Sequence, residues 1–255
     1  MDKWLRFEHA GKTGFGKLQG DIITVYQGDM FGNPSASSQT VALAAVKLLT
    51  PTQPTKMIAI WNNFHALATK LNVAIPKEPL YLIKTSNSFL AGGEIIRSPK
   101  SFDGKVVFEG ELGIVIGKTC KAVSEAEAPS YIFGYTCIND VTAADIINRD
   151  PAFQQWVRSK SFDTFGVFGP VVATGVAPAA LTVKTVLNGQ ERQSYPISDM
   201  IFPPARLVSL ISQDMTLYPG DVICCGTSVG VGSMKPGSTI EITIEGIGTL
   251  TNKFE

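Results

Sequence analysis

Two glutamates two residues apart, Glu109 and Glu111, lie inside the run Val106–Gly117, Val-Val-Phe-Glu-Gly-Glu-Leu-Gly-Ile-Val-Ile-Gly. Val and Ile dominate this stretch and Gly bounds it, so it reads as one strand. Side chains alternate faces along a strand. Glu109 and Glu111 then share one face with Val107 and Val115, while Phe108, Leu112, Ile114 and Ile116 take the other. At a rise of about 3.3 Å per residue the two carboxylates start roughly 6.6 Å apart. Like charges so close repel, and burying them is costly unless a cation offsets them. One divalent cation held between them would do so. The competing reading is an edge strand with two ordinary surface acids.

Other side chains able to join such a site are spread along the chain. Asp140 ends the apolar run Ile132–Asn139, either as a ligand or as the N-cap of a helix over Val141–Ile147. Lys160 and Asp163 sit close together in the aromatic loop Ser159–Gly166 before the run Val167–Val172. Lys84 ends the strand Tyr81–Lys84, facing the carboxylates or snorkelling to the surface. His65 borders the apolar stripe of a helix read over Asn62–Leu71. Cys224–Gly232 is a Gly-rich loop after an apolar strand, where Gly226 and Thr227 offer N–H groups and a hydroxyl to an oxyanion. It lacks the Gly-Lys-Ser/Thr of a P-loop, and no long helix follows as in a dinucleotide fold.

The elements that must position these groups are mostly β. Gly 24 and Pro 15 mark many turns between Val/Ile/Thr-rich runs. Trp4–Phe7, Ile22–Tyr26, Met57–Trp61, Ser238–Gly246 and Gly248–Asn252 read as strands, with turns at Gly11–Gly16 and Gly20-Asp21. Val183–Gln193 reads as a hairpin about Asn188-Gly189. Thr40–Leu49 and Pro203–Ser212 carry helical spacing, and Glu125–Ser130 has helix-start character. Pro51–Pro54 marks a soft boundary, predicting a small N-terminal domain over 1–52 and a main domain over 53–255.

Bulk properties narrow the function classes. A length of 255 residues with 44% hydrophobic and 17% charged residues supports a substantial core. Zero formal net charge argues against general binding to nucleic acid or to an anionic membrane. No segment is apolar for long enough to span a bilayer. The four cysteines, 120, 137, 224 and 225, form no C-x-x-C pair and read as buried thiols of a cytoplasmic protein.

The order of several motifs resembles the fumarylacetoacetate hydrolase superfamily over about residues 57–255. These are F-E-x-E-L-x-I-V-I-G-K from Phe108, G-Y-T-x-x-N-D-V from Gly134, K-S-F-D-T-F-x-x-F-G-P from Lys160, L-N-G-x-x-R-Q from Leu187 and L-x-P-G-D-V-I-x-x-G-T-x-x-G-V-G from Leu217. The resemblance implies a mainly β fold, a mixed sheet rolled into a sandwich-like core with a small N-terminal domain, usually as a homodimer. It implies Mg²⁺, Mn²⁺ or Ca²⁺ on Glu109, Glu111 and Asp140, and all-oxygen ligands suit such hard cations. Lys160 matches the active-site Lys and His65 the proton carrier of a mobile lid. Thr227, with Gly226, matches the substrate-contacting loop, and Lys84 a recurrent Lys near the substrate. The implied activity is C–C hydrolysis of acylpyruvate-type 2-oxo acids. Isomerisation of a 2-hydroxyhepta-2,4-diene-1,7-dioate type, decarboxylation, and binding of a 2-oxo acid without turnover are the alternatives.

The chain departs from the family pattern at three places. Ala68 stands where many members have a Glu three after the His, Ala144 where many have an Arg, and Ser228 where Gly-Thr is usually followed by Pro. These changes shift weight from hydrolysis toward isomerisation or decarboxylation. Glu94 is a candidate substitute base.

Overall fold

A computed structural model describes all 255 residues. The chain opens with a meander of β1 (Lys3–His9), β2 (Lys12–Gln19), β3 (Ile22–Gln27) and β4 (Ser35–Ala42), then the short β5 (Lys47–Leu48). Next come β6 (Met57–Trp61), α1 (His65–Leu71) and β7 (Leu80–Lys84), with β8 (Phe89–Leu90) and β9 (Ile95–Ile96) after them. β10 (Val106–Phe108), β11 (Gly110–Ile116), β12 (Ile132–Asp140) and β13 (Thr142–Ala143) follow. Two short helices, α2 (Ala144–Ile147) and α3 (Trp156–Lys160), lead into β14 (Gly166–Ala173). The hairpin β15 (Thr182–Leu187) and β16 (Gln190–Pro196) precedes α4 (Pro204–Asp214), β17 (Val222–Cys224), β18 (Gly232–Ser233), β19 (Thr239–Ile244) and β20 (Gly248–Phe254).

The architecture is mainly β. The principal sheet runs β4-β3-β2-β1-β14-β12-β11-β17-β6-β7, with β5 on β1 and β8 on β14. A second sheet runs β16-β15-β19-β20-β9, and a third, small one β13-β10-β18. The main core lies between the first two sheets and α4. Leu112, Ile114 and Ile116 meet Val183, Ile240, Ile242 and Leu250 there, with Leu207, Val208 and Ile211 from α4. The opposite face of the principal sheet carries a smaller cluster of Met57, Ala59, Leu82, Val115, Ile138, Phe168 and Val222. The site is built on that second face. No helix is long and apolar enough to cross a membrane.

Several sequence expectations change. The expected strand 106–117 is two strands in different sheets, broken at Glu109. The break is held by side-chain chemistry: the Glu109 N–H donates to Asn139 Oδ1 at 3.1 Å, and the Glu109 carbonyl accepts the Asp140 N–H at 2.9 Å. Thr40–Leu49 is not helical but ends β4 and forms a 3₁₀ turn and β5, because β3 and β1 offer it ladder partners. Gly14 and Gly16 lie inside β2 rather than in a turn. A Cβ on Gly16 would come within 2.2 Å of the Thr24 carbonyl oxygen, so Gly is what lets β2 and β3 approach. Glu125–Ser130 yields only a 3₁₀ turn, Ala128–Tyr131.

Candidate metal centre

The site forms where β11 and β12 pair and their residues turn toward the second face. Gly110 opposes Asn139 and Glu111 opposes Ile138, so Glu111 and Asp140 emerge on the same side as Val115 and Ile138. Ligand oxygens of Glu109, Glu111 and Asp140 all lie within 4.8 Å of one another. Glu111 and Asp140 are fully enclosed, and Glu109 is 18% exposed.

Gly110, between the two glutamates, is clamped from the second sheet. Its N–H donates to Gln193 Oε1 at 3.0 Å, and its carbonyl accepts the hydroxyls of Tyr195 and, at 2.9 Å, Thr227. A Cβ there would fall 2.1 Å from Thr185 Oγ1, which only Gly avoids. Gln193 also donates to Thr227 Oγ1 at 2.9 Å. The Thr227 hydroxyl is thereby committed to holding the loop. The backbone N–H of Gly226 is committed too, donating to Glu111 Oε2 at 2.9 Å. Ser228 Oγ, by contrast, is buried without a partner.

Two ammonium groups face the carboxylates. Lys160, at the C-terminal end of α3, donates to Glu109 Oε2 at 2.9 Å, Asp140 Oδ2 at 2.6 Å and Thr142 Oγ1 at 2.8 Å. All three of its N–H bonds are used. Lys84 is 0% exposed and donates to Asp140 Oδ1 and the Val141 carbonyl. The surface-snorkelling reading of Lys84 is thus overturned. It lies beneath the cluster and grips Asp140, with no surface left for direct substrate contact in this geometry. Asp140 does not cap a helix either: β13 follows it, and α2 starts at Ala144 without a side-chain cap.

The electrostatics follow from burial. Desolvation raises the Glu111 carboxyl well above its ordinary range, and Asp140 and Glu109 add to this. Glu109 is raised mainly by burial, against Lys160. Burial would raise Asp140 as well, but Lys160 and Lys84 together hold it below the usual carboxylate value. Burial opposes the charge on Lys160, yet Asp140, Glu109 and Glu111 outweigh it and push its pKa up. Lys84 is lowered by burial despite Asp140.

Three carboxyl groups meet only two amino groups here, and Glu111 Oε1 is buried with no hydrogen-bond partner. That orphaned oxygen and the all-oxygen donor set fit a hard divalent cation. Cys224 and Cys225 are buried and stand outside the cluster of candidate ligand atoms.

His65 is the first residue of α1, exposed, and outside the hydrogen-bond network of the cluster. The segment before it is anchored by Asn63, which donates to the Cys225 carbonyl at 2.8 Å and accepts the Phe202 N–H at 2.8 Å. Ala68 is buried on the inner side of α1. Glu94 pairs with Lys47 at 2.9 Å and is not in the cluster. Thr142, Gln193, Tyr195 and Asn63 escaped the sequence reading. The only trace of Gln193 was its place in the Leu-Asn-Gly-x-x-Arg-Gln motif.

Residues 56–255 match the family described as fumarylacetoacetate (FAA) hydrolase C-terminal, and residues 2–51 one described as Rv2993c-like, N-terminal. An uncharacterized protein of Archaeoglobus fulgidus is 43% identical over 212 residues, 83% of each chain. Oxaloacetate tautomerase YisK of Bacillus subtilis is 37% identical over 236 residues, 87% of this chain and 77% of YisK. The crystal structure of a 2-hydroxyhepta-2,4-diene-1,7-dioate isomerase from Mycobacterium marinum superposes with a TM-score of 0.91 at 36% identity, covering 100% of this chain and 98% of that one.

Proposed function

The chain belongs to the fumarylacetoacetate hydrolase family, and from that premise we propose that it is a divalent-cation-dependent tautomerase or isomerase of a 2-oxo acid. The observation that carries this reading is the buried Glu109–Glu111–Asp140 trio backed by Lys160, with Ala at position 68 where a water-activating Glu would stand. C–C hydrolysis, the activity first expected, needs such a base. Position 68 offers a buried Ala, position 144 an Ala, and Glu94 is tied to Lys47. Moving a proton between carbon and oxygen needs only an electrophile and a proton carrier. The names of YisK and of the Mycobacterium marinum isomerase point to the same type of chemistry.

Glu109, Glu111 and Asp140 would hold Mg²⁺, Mn²⁺ or Ca²⁺, which when bound supplies electrophilic charge to the carboxylate and keto oxygens of the substrate. Lys160 adds a second positive charge at the edge of the cluster and presents an N–H to the keto oxygen once a carboxylate oxygen is released. His65, free of partners on α1, carries the proton to and from C3. Lys84 keeps Asp140 ionised and oriented. Thr227 and Gln193 hold the Gly-rich loop against Gly110 beside the substrate. The protein works as a cytoplasmic homodimer; light scattering tests the dimer.

The test follows C3–H exchange into D₂O by NMR for oxaloacetate and pyruvate, with Mg²⁺ or Mn²⁺ and with EDTA, beside acylpyruvate cleavage. Cation-dependent exchange without acylpyruvate cleavage is the expected result. Acylpyruvate cleavage outpacing exchange would return the hydrolase reading, and saturable oxalate binding with no exchange would leave a binding protein.

A further inference from the structure

A cleft of about 440 Å³ is lined mainly by Trp61, Leu80, Leu82, Ile147 and Trp156. Its place follows from the sheet. Met57, Ala59 and Leu82 belong to the second-face cluster, so Trp61 on β6 and Leu80 on β7 share that face with Glu111 and Asp140 by alternation. The pairing puts Cys224 of β17 opposite Ala59 of β6 and Gly113 of β11. Two residues on, Glu111, Gly226 and Trp61 reach the same end of the sheet. A Cβ on Gly226 would lie 3.0 Å from the Ile60 carbonyl oxygen, which shows how close these segments run. Trp61 is two strands from Glu111, roughly 10 Å at about 4.8 Å per strand. The other wall comes from the elements that carry the site: Trp156 begins the helix that ends in Lys160, and Ile147 ends the helix that follows Asp140.

The chemistry of the cleft is apolar and aromatic. The Trp61 and Trp156 rings lie 5.5 Å apart, tilted at 49°. Its polar groups are largely occupied with one another: Trp156 Nε1 donates to Gln154 Oε1 at 3.1 Å, and Gln154 Nε2 to Asn148 Oδ1 at 3.0 Å. No charged side chain lines it. A terminal carboxylate entering it would lose water with no cation to meet it, whereas an aryl or branched alkyl group would gain burial.

We propose that this cleft receives the C3 substituent of the 2-oxo acid, and that the substituent is aryl or branched alkyl, not a second carboxylate. The inference rests on the enolisation chemistry proposed above, and the experiment separates the two. C3–H exchange is measured with Mn²⁺ for phenylpyruvate, 4-methyl-2-oxopentanoate, 2-oxoglutarate, 2-oxoadipate and pyruvate. The two apolar substrates should exceed the two dicarboxylates at least tenfold in kcat/KM. Ile147→Arg should lower the phenylpyruvate-to-2-oxoglutarate ratio by roughly ten- to a hundredfold, the range a misfitted pocket contact gives. A wild-type preference for the dicarboxylates, or an Ile147→Arg variant that keeps the wild-type ratio, overturns the inference.

If no 2-oxo acid exchanges at all, the enolisation reading fails while the cleft is still tested by binding. Saturable quenching of Trp fluorescence by 3-phenylpropionate is expected in the wild type and should be lost in Ile147→Arg, which retains both indoles. No saturable quenching, or loss of a dimer in Ile147→Arg with the substrate ratio intact, assigns the cleft to something other than substrate and overturns the proposal.

Discussion

Replacing Lys84 by Met removes a buried ammonium at nearly constant side-chain length, so the cavity it leaves is small. Lys84 and Asp140 are 0% and 1% exposed. Breaking a buried ion pair costs about 3–5 kcal/mol, because the remaining charge is left uncompensated. Asp140 keeps Lys160 on its other oxygen, which places the cost at the lower end, about 3 kcal/mol. For a chain of this size 1 kcal/mol shifts Tm by about 2–4 °C, so the variant in EDTA should melt roughly 6–12 °C lower. The response to a cation should move oppositely. Removing a unit positive charge beside the carboxylates relieves a repulsion with a divalent ion of about 8 kcal/mol at 4 Å and an effective dielectric constant of 20. If reorganisation absorbs half of it, Mg²⁺ still binds more than tenfold tighter. Scanning calorimetry with EDTA and with saturating Mg²⁺, together with titration calorimetry, measures both. An EDTA penalty below about 1 kcal/mol, or Mg²⁺ binding weaker than wild type, would refute the view that Lys84 supports Asp140 from beneath and offsets the charge of the cluster.

Three further outcomes are expected. Glu109→Ala should abolish stoichiometric Mn²⁺ binding, read as metal content after dialysis; a full equivalent retained would contradict the ligand assignment. Because the folded state raises the pKa of Glu111, the contribution of this group to stability is complete below the ordinary carboxylate range and is lost as pH rises through the raised value. The EDTA-treated protein should therefore lose Tm as pH rises from the ordinary carboxylate range through that raised value, and saturating Mn²⁺ should flatten the slope. Asp140, held low, acts with the opposite sign and weakens the fold only as pH falls through its lowered value. Asn63→Ala should cost about 2–3 kcal/mol by orphaning the buried Cys225 carbonyl and Phe202 N–H, measured by urea unfolding.

Strands with clean local patterns were legible in the sequence, and those shaped by distant partners were not. Met57–Trp61 and the Asn188-Gly189 hairpin show their character within a few residues. The φ angles of 51° and 76° at that turn are those a two-residue hairpin needs. The apolar Ala and Leu of Thr40–Leu49 suit a helix by spacing, but edge pairing with β3 and β1 overrode that preference. The glycines of β2 look like turn residues until the packing they permit is visible.

The site divides along the same line. Glu109 and Glu111 are two residues apart and advertise themselves. The cations of the cluster come from far along the chain, Lys160 51 positions from Glu109 and Lys84 56 from Asp140, and are set by register and helix placement. A lysine at the end of an apolar strand, such as Lys84, looks the same in sequence whether it points to water or beneath a carboxylate. The fold chooses the second, because the face of β7 that carries Leu82 and Lys84 packs over the cluster of Ile138 and Val115. This has a functional consequence that no motif shows. The three N–H groups of Lys160 are spent on Glu109, Asp140 and Thr142. The contacts that hold Glu109 and Asp140 together keep Lys160 from a substrate. A ligand that needs that ammonium is expected to recruit it only when another positive charge takes over the carboxylate oxygens, which would couple substrate recognition to cation binding through one side chain.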